Sequence, residues 1–379
     1  MGEVRATLQC CVWELTLRCN LRCRHCGATA GRARAAELSP AEALRVADEL
    51  ASLPADEVTL MGGELFLRPD WYAVAERLRA GGVGLVVFTN ATLLNAERIA
   101  QLRALEPRTI GTSLDGGCAA VHDDIRGRAG AFARTVAALD ALPAAGLPVA
   151  VITTLTRRNL YELPGIARLL VGRGIRWQIQ CAGAGGERLA SQDLLTPFEF
   201  YFAARFIARM RATYSWEELP VIGAHDFGYC SAQLPYLGMP GQVWMGCPAG
   251  RSVLGIQSNG RVKACLSLPD DLVVGSLREI SLTELWQGDT LASWRRPVER
   301  AGFCALCPHG AVCEGGCTGM AVTYSGRRGD DPCCLYRLEQ IHQQGGYDAQ
   351  TTQAFEGTTS ATAAIAAATT SGDYPPARV

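Results

Sequence analysis

The chain has 379 residues, 48% hydrophobic and 19% charged, enough for one large domain or a large and a small one around a substantial core. Lys+Arg 36 against Asp+Glu 37 leaves a net charge of −1, which gives no electrostatic case for nucleic acid or an anionic membrane as partner. No signal-peptide pattern opens the sequence and no apolar run approaches the roughly 20 residues of a membrane span, so a soluble, cytoplasmic protein is expected. Sixteen cysteines are then the anomaly. In a reducing compartment they point to metal ligation or catalysis rather than disulfides, and they cluster as ligand sets do.

In chain order, short apolar runs alternate with helical periods. The runs fall at 12–17, 57–61, 84–88, 109–114, 149–155 and 175–181. Ser39-Pro-Ala-Glu42 reads as a capping box opening one helix. Asp70 precedes a second helix, which Gly81-Gly82 ends, and Asn95 opens a third. Six strand–helix units in a row argue an α/β fold with a parallel sheet, as a partial (β/α)6 barrel of the TIM type or an open sheet. Glycine-rich and polar residues follow several strands: Gly62-Gly63-Glu64, Thr89-Asn90, Asp115-Gly-Gly117 and the stretch 182–186. In a parallel barrel these share the C-terminal rim, where active sites sit. Segment 191–244 reads as a bridge with a helix at 196–213. From 245 to 340 glycines, cysteines and turns mark a small metal-held domain, with the barrel at 10–190. The tail, 349–379, is Thr/Ala-rich and reads as disordered.

Cys19, Cys23 and Cys26 follow the first strand. Three thiolates on a four-iron cluster leave one iron open for a substrate or cosubstrate. A zinc site completed by His25 is the competing reading of this spacing. The residues CNLRCRHC and GGE, on a strand–helix repeat, resemble the radical SAM superfamily over roughly 10–185. The resemblance implies a [4Fe–4S] cluster on Cys19, Cys23 and Cys26 whose open iron binds S-adenosylmethionine, and reductive cleavage of that cosubstrate to a 5′-deoxyadenosyl radical. It also implies that Gly62, Gly63 and Glu64 hold the methionine amino group and that Thr89-Asn90 match the segment after strand three, with Ala91 where glycine is usual. By the same resemblance Ser113 and Asp115 lie near the ribose, Arg126 is the candidate for the methionine carboxylate, and His25 packs near the adenine.

The second set runs Cys247, Gly260 with Cys265, then Cys304-x2-Cys307-x5-Cys313-x3-Cys317 and Cys333-Cys334. CxxC pairs alone also fit zinc. The full string resembles the SPASM domain, which implies two auxiliary [4Fe–4S] clusters. By that pattern Cys304, Cys307, Cys313 and Cys334 hold the outer cluster, Cys334 being chosen over Cys333 because it completes Asp331-Pro-x-Cys. Cys247, Cys265 and Cys317 hold the inner one, whose fourth ligand is not evident; Cys230 or an open iron would complete it. Cys181, at the end of strand six, is a candidate to face substrate. Asp270, Asp271 and Glu187 read as surface charge.

The SPASM resemblance implies an oxidative modification, such as a crosslink, of a ribosomal peptide or protein side chain. A small one-electron donor such as flavodoxin or ferredoxin is the expected redox partner. Only 18 residues precede Cys19, so leader recognition is expected to use a separate protein or the barrel itself. A sulfatase-type maturase, a small-molecule tailoring enzyme acting on a tetrapyrrole or antibiotic, and a non-catalytic metal-stapled scaffold are the alternatives. No general acid or base is assigned.

Overall fold

The computed structural model describes residues 7–343 except Pro54, Ala184 and Gly228; the expected disordered tail, 349–379, lies outside the described residues. All six expected strands form: β1 (Cys10–Thr16), β2 (Glu57–Gly62), β3 (Gly84–Thr89), β4 (Thr109–Ser113), β5 (Val149–Leu155) and β6 (Arg176–Cys181). They pair in sequence order, all parallel. Parallel neighbours need crossover helices, and these are α1 (Pro40–Ser52), α2 (Trp71–Ala80), α3 (Ala96–Leu105), α4 (Ala119–Arg126), α5 (Ala131–Ala144) and α6 (Leu163–Leu170).

The helix starts follow the sequence signals with one change. Ser39 and Glu42 form the reciprocal capping box of α1, and Asn95 accepts from the Arg98 N–H to cap α3. Asp70 precedes α2 but does not cap it. Arg68 takes its carboxylate instead, at 2.8 and 2.9 Å, while also donating to the Leu15 and Leu38 carbonyls. The buried guanidinium therefore ties the end of β1 to the start of α1 and needs Asp70 as its counter-charge.

The sheet is larger than six strands. β7 (Val221–Gly223) adds parallel to β6 beyond helix α7 (Pro197–Thr213). On the other side β8 (Val253–Ile256) pairs parallel with β1, followed antiparallel by β9 (Arg261–Lys263) and β10 (Val273–Ser276). The order is β10-β9-β8-β1-β2-β3-β4-β5-β6-β7. Strands of three and four residues carry too little periodicity to be read from sequence. The result is one sheet that continues across residue 245 into the cysteine-rich region. Gly260, with φ +85, makes the tight β8–β9 hairpin that returns the chain toward Cys265.

One face of the sheet is fully buried beneath the helices: Trp13, Leu15, Leu60, Leu85, Val87 and Ile110 in one cluster, Val151, Trp177 and Ile179 in a second. The other face carries Met61, Phe88, Thr154, Gln178 and Gln180, which are only half-buried. The strands therefore present an apolar face to the helices and an open, mixed face to the barrel interior.

Arg68→Ala should lower unfolding free energy by about 3 kcal/mol, because it strands Asp70 and two carbonyls together. Urea unfolding of the variant beside the wild-type chain measures it.

Candidate active site and auxiliary thiol sets

β1 ends at Thr16, and the next fifteen residues cross the rim. Arg18 bridges Gly31, and the Cys19 N–H donates to the Gly31 carbonyl at 3.2 Å, closing the cysteine loop at its base. The loop's middle is gripped by α4: the Arg22 and Arg24 N–H groups donate to the carbonyls of Arg126 and Ile125, at 3.3 and 2.8 Å. Gly127 must be glycine here, since its φ is +64 and a Cβ would meet the Arg22 carbonyl oxygen at 2.7 Å. From the far side, the loop after β6 closes over it. Arg188 donates to the Cys23 and Ala30 carbonyls, and a Cβ on Gly186 would meet the Cys26 carbonyl oxygen at 2.2 Å.

The sulfurs are provided with donors. Cys19 Sγ accepts from the Leu21 N–H at 3.4 Å and Cys26 Sγ from the Ala30 N–H at 3.3 Å. Cys23 Sγ lies 3.8 Å from Arg126 Nη1, and Asn90 Nδ2 stands 3.9 Å from Cys19 Sγ. Burial pushes the Cys19 thiol up to about 11 and raises Cys23 against the pull of Arg126. Buried thiols with donors aimed at sulfur fit a site in which iron supplies the missing positive charge.

Gly62 and Gly63 sit against the chain itself. A Cβ on Gly62 would meet the Thr16 carbonyl oxygen at 2.4 Å, and one on Gly63 the Arg18 carbonyl oxygen at 2.3 Å. Their close approach thus lets the chain of the second rim loop pack on the root of the cysteine loop. Glu64 is 1% exposed and is held by neutral donors, the Thr89 hydroxyl and the Asn90 N–H, both at 2.8 Å. Burial raises its pKa, and the donors only partly offset this. A carboxylate so placed lacks a contacting cation, which an ammonium group would provide. The Asn90 side chain joins Asn20 and Thr92 in a closed ring of hydrogen bonds at 2.6–2.9 Å. Ala91, in the usual glycine slot, does adopt the left-handed region, with φ +61.

Ser113 lies half-buried at the end of β4. Asp115, two residues on, is fully buried, and its oxygens are taken by the chain. Oδ2 meets His25 Nε2 at 2.7 Å and Arg126 Nη2 at 2.5 Å, and Oδ1 accepts from the Thr154 N–H at 2.9 Å. Burial alone would raise this carboxyl, but Arg126 and His25 overcome it and hold the group well below the usual range. His25, Asp115 and Arg126 are therefore one charged cluster beside Cys23. His122, also missed by sequence reasoning, accepts the Asp115 N–H on Nδ1 at 3.1 Å. Burial, then Arg126, pushes its imidazole down to about 4. A single polar residue without a pattern of its own carries no signal that would have marked it, or Asn20 and Thr92.

The second group of cysteines divides in two. Cys304, Cys307, Cys313 and Cys334 line one cavity, together with Cys230, Tyr229 and His309. Cys247 is in hydrogen-bond contact with Cys317, and Cys265 lies in the electrostatic reach of Cys247. Backbone N–H groups a turn away serve many of these sulfurs: Ala249 for Cys247, Ser267 for Cys265, Gly315 and Gly316 for Cys313, Met320 for Cys317, Arg337 for Cys334. That is the donor arrangement a metal-bound thiolate favours. Cys333 points away from the cavity, to the Tyr324 hydroxyl and the neighbourhood of Cys181. Cys230, considered above for the inner set, stands instead with the outer one. Cys181 is half-buried, and the Asp226 carboxylate accepts its N–H at 2.5 Å. Asp270 pairs with Lys263, while Asp271 and Glu187 are exposed.

Residues 13–170 match the Radical SAM superfamily, and residues 247–308 match the SPASM iron-sulfur cluster-binding domain. The chain is 31% identical over 340 residues to the AdoMet-dependent heme synthase of Methanosarcina barkeri, covering 86% of this chain and 95% of that one. It belongs to the radical SAM superfamily. It is also 33% identical to the mycofactocin maturase MftC of Mycobacterium ulcerans, covering 86% of this chain and 87% of that one. The fold matches that of Streptococcus suis SuiB bound to its precursor peptide SuiA, with a TM-score of 0.69, 16% identity, and coverage of 88% of this chain and 75% of SuiB.

The chain is therefore an enzyme of the partial-barrel radical SAM type, binding S-adenosylmethionine and a [4Fe–4S] cluster, with auxiliary iron-sulfur clusters in its SPASM region. Among the described residues no helix is long and apolar enough to cross a membrane.

The charge cluster gives two expectations of opposite sign. Arg126→Gln removes the cation beside Cys23 and should lower the reduction potential of a cluster held by that loop. Asp115→Asn leaves the cation less compensated and should raise it. EPR-monitored redox titration reads both, and shifts of the same sign would mean distortion rather than charge. His122 gives a pH expectation. It stays neutral in the fold, while the unfolded imidazole gains its proton near pH 6.5. Stability should therefore fall as pH drops from about 6.5 to about 4, and His122→Asn should flatten that slope in urea titrations.

Proposed function

We propose that this enzyme carries out an oxidative modification of a ribosomal peptide or protein side chain. The residues assigned above would hold the machinery: Cys19, Cys23 and Cys26 the catalytic cluster, Glu64 the methionine ammonium, and the two rear sets the auxiliary clusters. Bound at the open iron, S-adenosylmethionine supplies the 5′-deoxyadenosyl radical. The protein's own part is to keep that chemistry dry and to position the substrate. The rim loops pack closely on the cysteine loop at Gly63, Gly127 and Gly186.

The observation that carries the peptide reading is the interior face of β5 and β6. Gln178 donates to Gln180 at 3.4 Å, and Gln180 donates to the Thr154 hydroxyl at 3.1 Å. All three are half-buried on the open face. Neutral amides offer paired donors and acceptors, which match a peptide backbone. A tetrapyrrole bearing several carboxylates would call for cations there instead. The similarity to a mycofactocin maturase, and the fold shared with a peptide-bound relative, support the same reading. Arg126 does not serve as a carboxylate grip in this reading, since Asp115 already holds it.

The second reading, tailoring of a tetrapyrrole, rests on the similarity to heme synthases. A small one-electron donor would feed the catalytic cluster in either case.

Reconstituted enzyme, reductant and S-adenosylmethionine should form 5′-deoxyadenosine faster with short peptides encoded beside the gene than without them. The peptide should lose hydrogen mass in step. Gln178→Leu/Gln180→Leu should cut that turnover at least tenfold, a loss of about 1.4 kcal/mol in transition-state binding. Stimulation by a propionate-bearing iron porphyrin and by no peptide would replace this reading with the second.

A further inference from the structure

Four irons of a cubane take four thiolates, yet five cysteines line the outer cavity: Cys230, Cys304, Cys307, Cys313 and Cys334. The fifth, Cys230, comes from outside the run 247–334 that carries the SPASM pattern. It is firmly placed. The Cys230 carbonyl accepts the Tyr336 N–H at 3.0 Å. Directly after it, Ser231 donates its hydroxyl to Glu339, and the Ala232 N–H donates to the same carboxylate at 2.7 Å. Just before it, Tyr229 donates its hydroxyl to buried Asp331, beside the closing Cys334. The segment is thus bonded to helix Leu335–Gln343 at and after Cys230 and to Asp331, ahead of that helix, just before it, and the Cys230 thiol is in hydrogen-bond contact with that of Cys313.

Contact alone would not mark a surplus, because Cys247 and Cys317 also touch in a set of only three. The count makes the difference. Cys304, Cys307 and Cys334 supply three corners, and the touching pair is left for the fourth.

We propose that Cys230 and Cys313 are alternative ligands for one iron of the outer auxiliary cluster. The proposal rests on the assignment of that cluster to this cavity. In the exchange the iron–sulfur bond to one thiolate breaks and the bond to the other forms. The proton crosses between the two sulfurs, and no electron is gained or lost. The two ligand states differ in the hydrogen bonds around the cluster, so they have different reduction potentials. Exchange would let the outer cluster move between a state that takes an electron from the barrel and one that releases it.

The test uses the full chain, reconstituted anaerobically as wild type, Cys230→Ala, Cys313→Ala, Cys304→Ala and the Cys230→Ala/Cys313→Ala double variant. Iron and sulfide content and the reduced EPR spectrum are the readouts. Wild type should hold about twelve irons. Each single variant of the pair should keep that content and an outer-cluster signal at a slightly shifted potential. The double variant should lose the signal, as Cys304→Ala does. Loss in either single variant, or an unchanged double variant, overturns the exchange. If Cys304→Ala leaves the spectrum unchanged, the assignment of the cavity itself fails, and the proposal with it. Alkylation of wild-type holoprotein with peptide mapping gives a reading independent of how the variants fold. Label should divide between Cys230 and Cys313 without both appearing on one chain. Label confined to one of them, or absent from both, overturns the proposal.

Discussion

Burying the Asp115 carboxylate would cost several kcal/mol if nothing compensated it, and the groups that meet it come from two different rim elements. His25 belongs to the cysteine loop and Arg126 to the last turn of α4. The same Arg126 points its second nitrogen at Cys23, and its carbonyl receives the Arg22 N–H. One charge placed at the end of β4 thus fixes the loop's middle, the orientation of α4 and the electrostatics around the Cys23 thiol. The Thr154 N–H and the Asn159 side chain extend the same grip to β5 and the loop after it, through Oδ1 and the carbonyl of Asp115. Removal of that charge would loosen several connections at once, because a half-satisfied buried network is worse than none.

Much of this was legible in the sequence, for physical reasons that differ by element. The six parallel strands were readable because each buries one full face under a helix and so repeats a strong apolar pattern. The cysteine spacing was readable as a family pattern, which the matches to the radical SAM and SPASM models share. Asp115 was noticed, but its job was not, since a sequence shows a carboxylate and not what faces it. His122 and Asn20 carried no pattern, and β7 and β8 were too short for one. Gly62-Gly63 were marked only through the resemblance, as part of the segment that would hold the methionine; what the sequence could not show is that their neighbour is the backbone of residues 16–18.

The cysteine-rich region is not hung on the barrel by a linker. β8 lies in register against β1, with Cys10 opposite Val253 and Trp13 opposite Ile256. Cys19, at the catalytic end, follows β1, and Cys265 follows the hairpin that extends β8. The Cys19–Cys26 loop and one inner-set thiol therefore ride on adjacent parts of a single sheet. Backbone ladders hold their separation more tightly than side-chain contacts could, and electron transfer between clusters depends on a fixed distance.

The inner and outer sets are coupled in turn by a short span of chain. Cys313 lines the outer cavity and Cys317 touches Cys247, with only Glu314, Gly315 and Gly316 between them. All three adopt positive φ, and a Cβ on Gly315 would meet the backbone of Gly329 at 2.5 Å, one on Gly316 the Tyr229 ring at 2.7 Å. This crowded turn lets two successive cysteines join different thiol sets. Glu314 pays for its left-handed conformation with an ion pair to Arg251, next to the β8 end of the sheet. The turn between the two thiol sets is thereby anchored to the sheet that carries the Cys19–Cys26 loop, so that all three thiol groups share one frame.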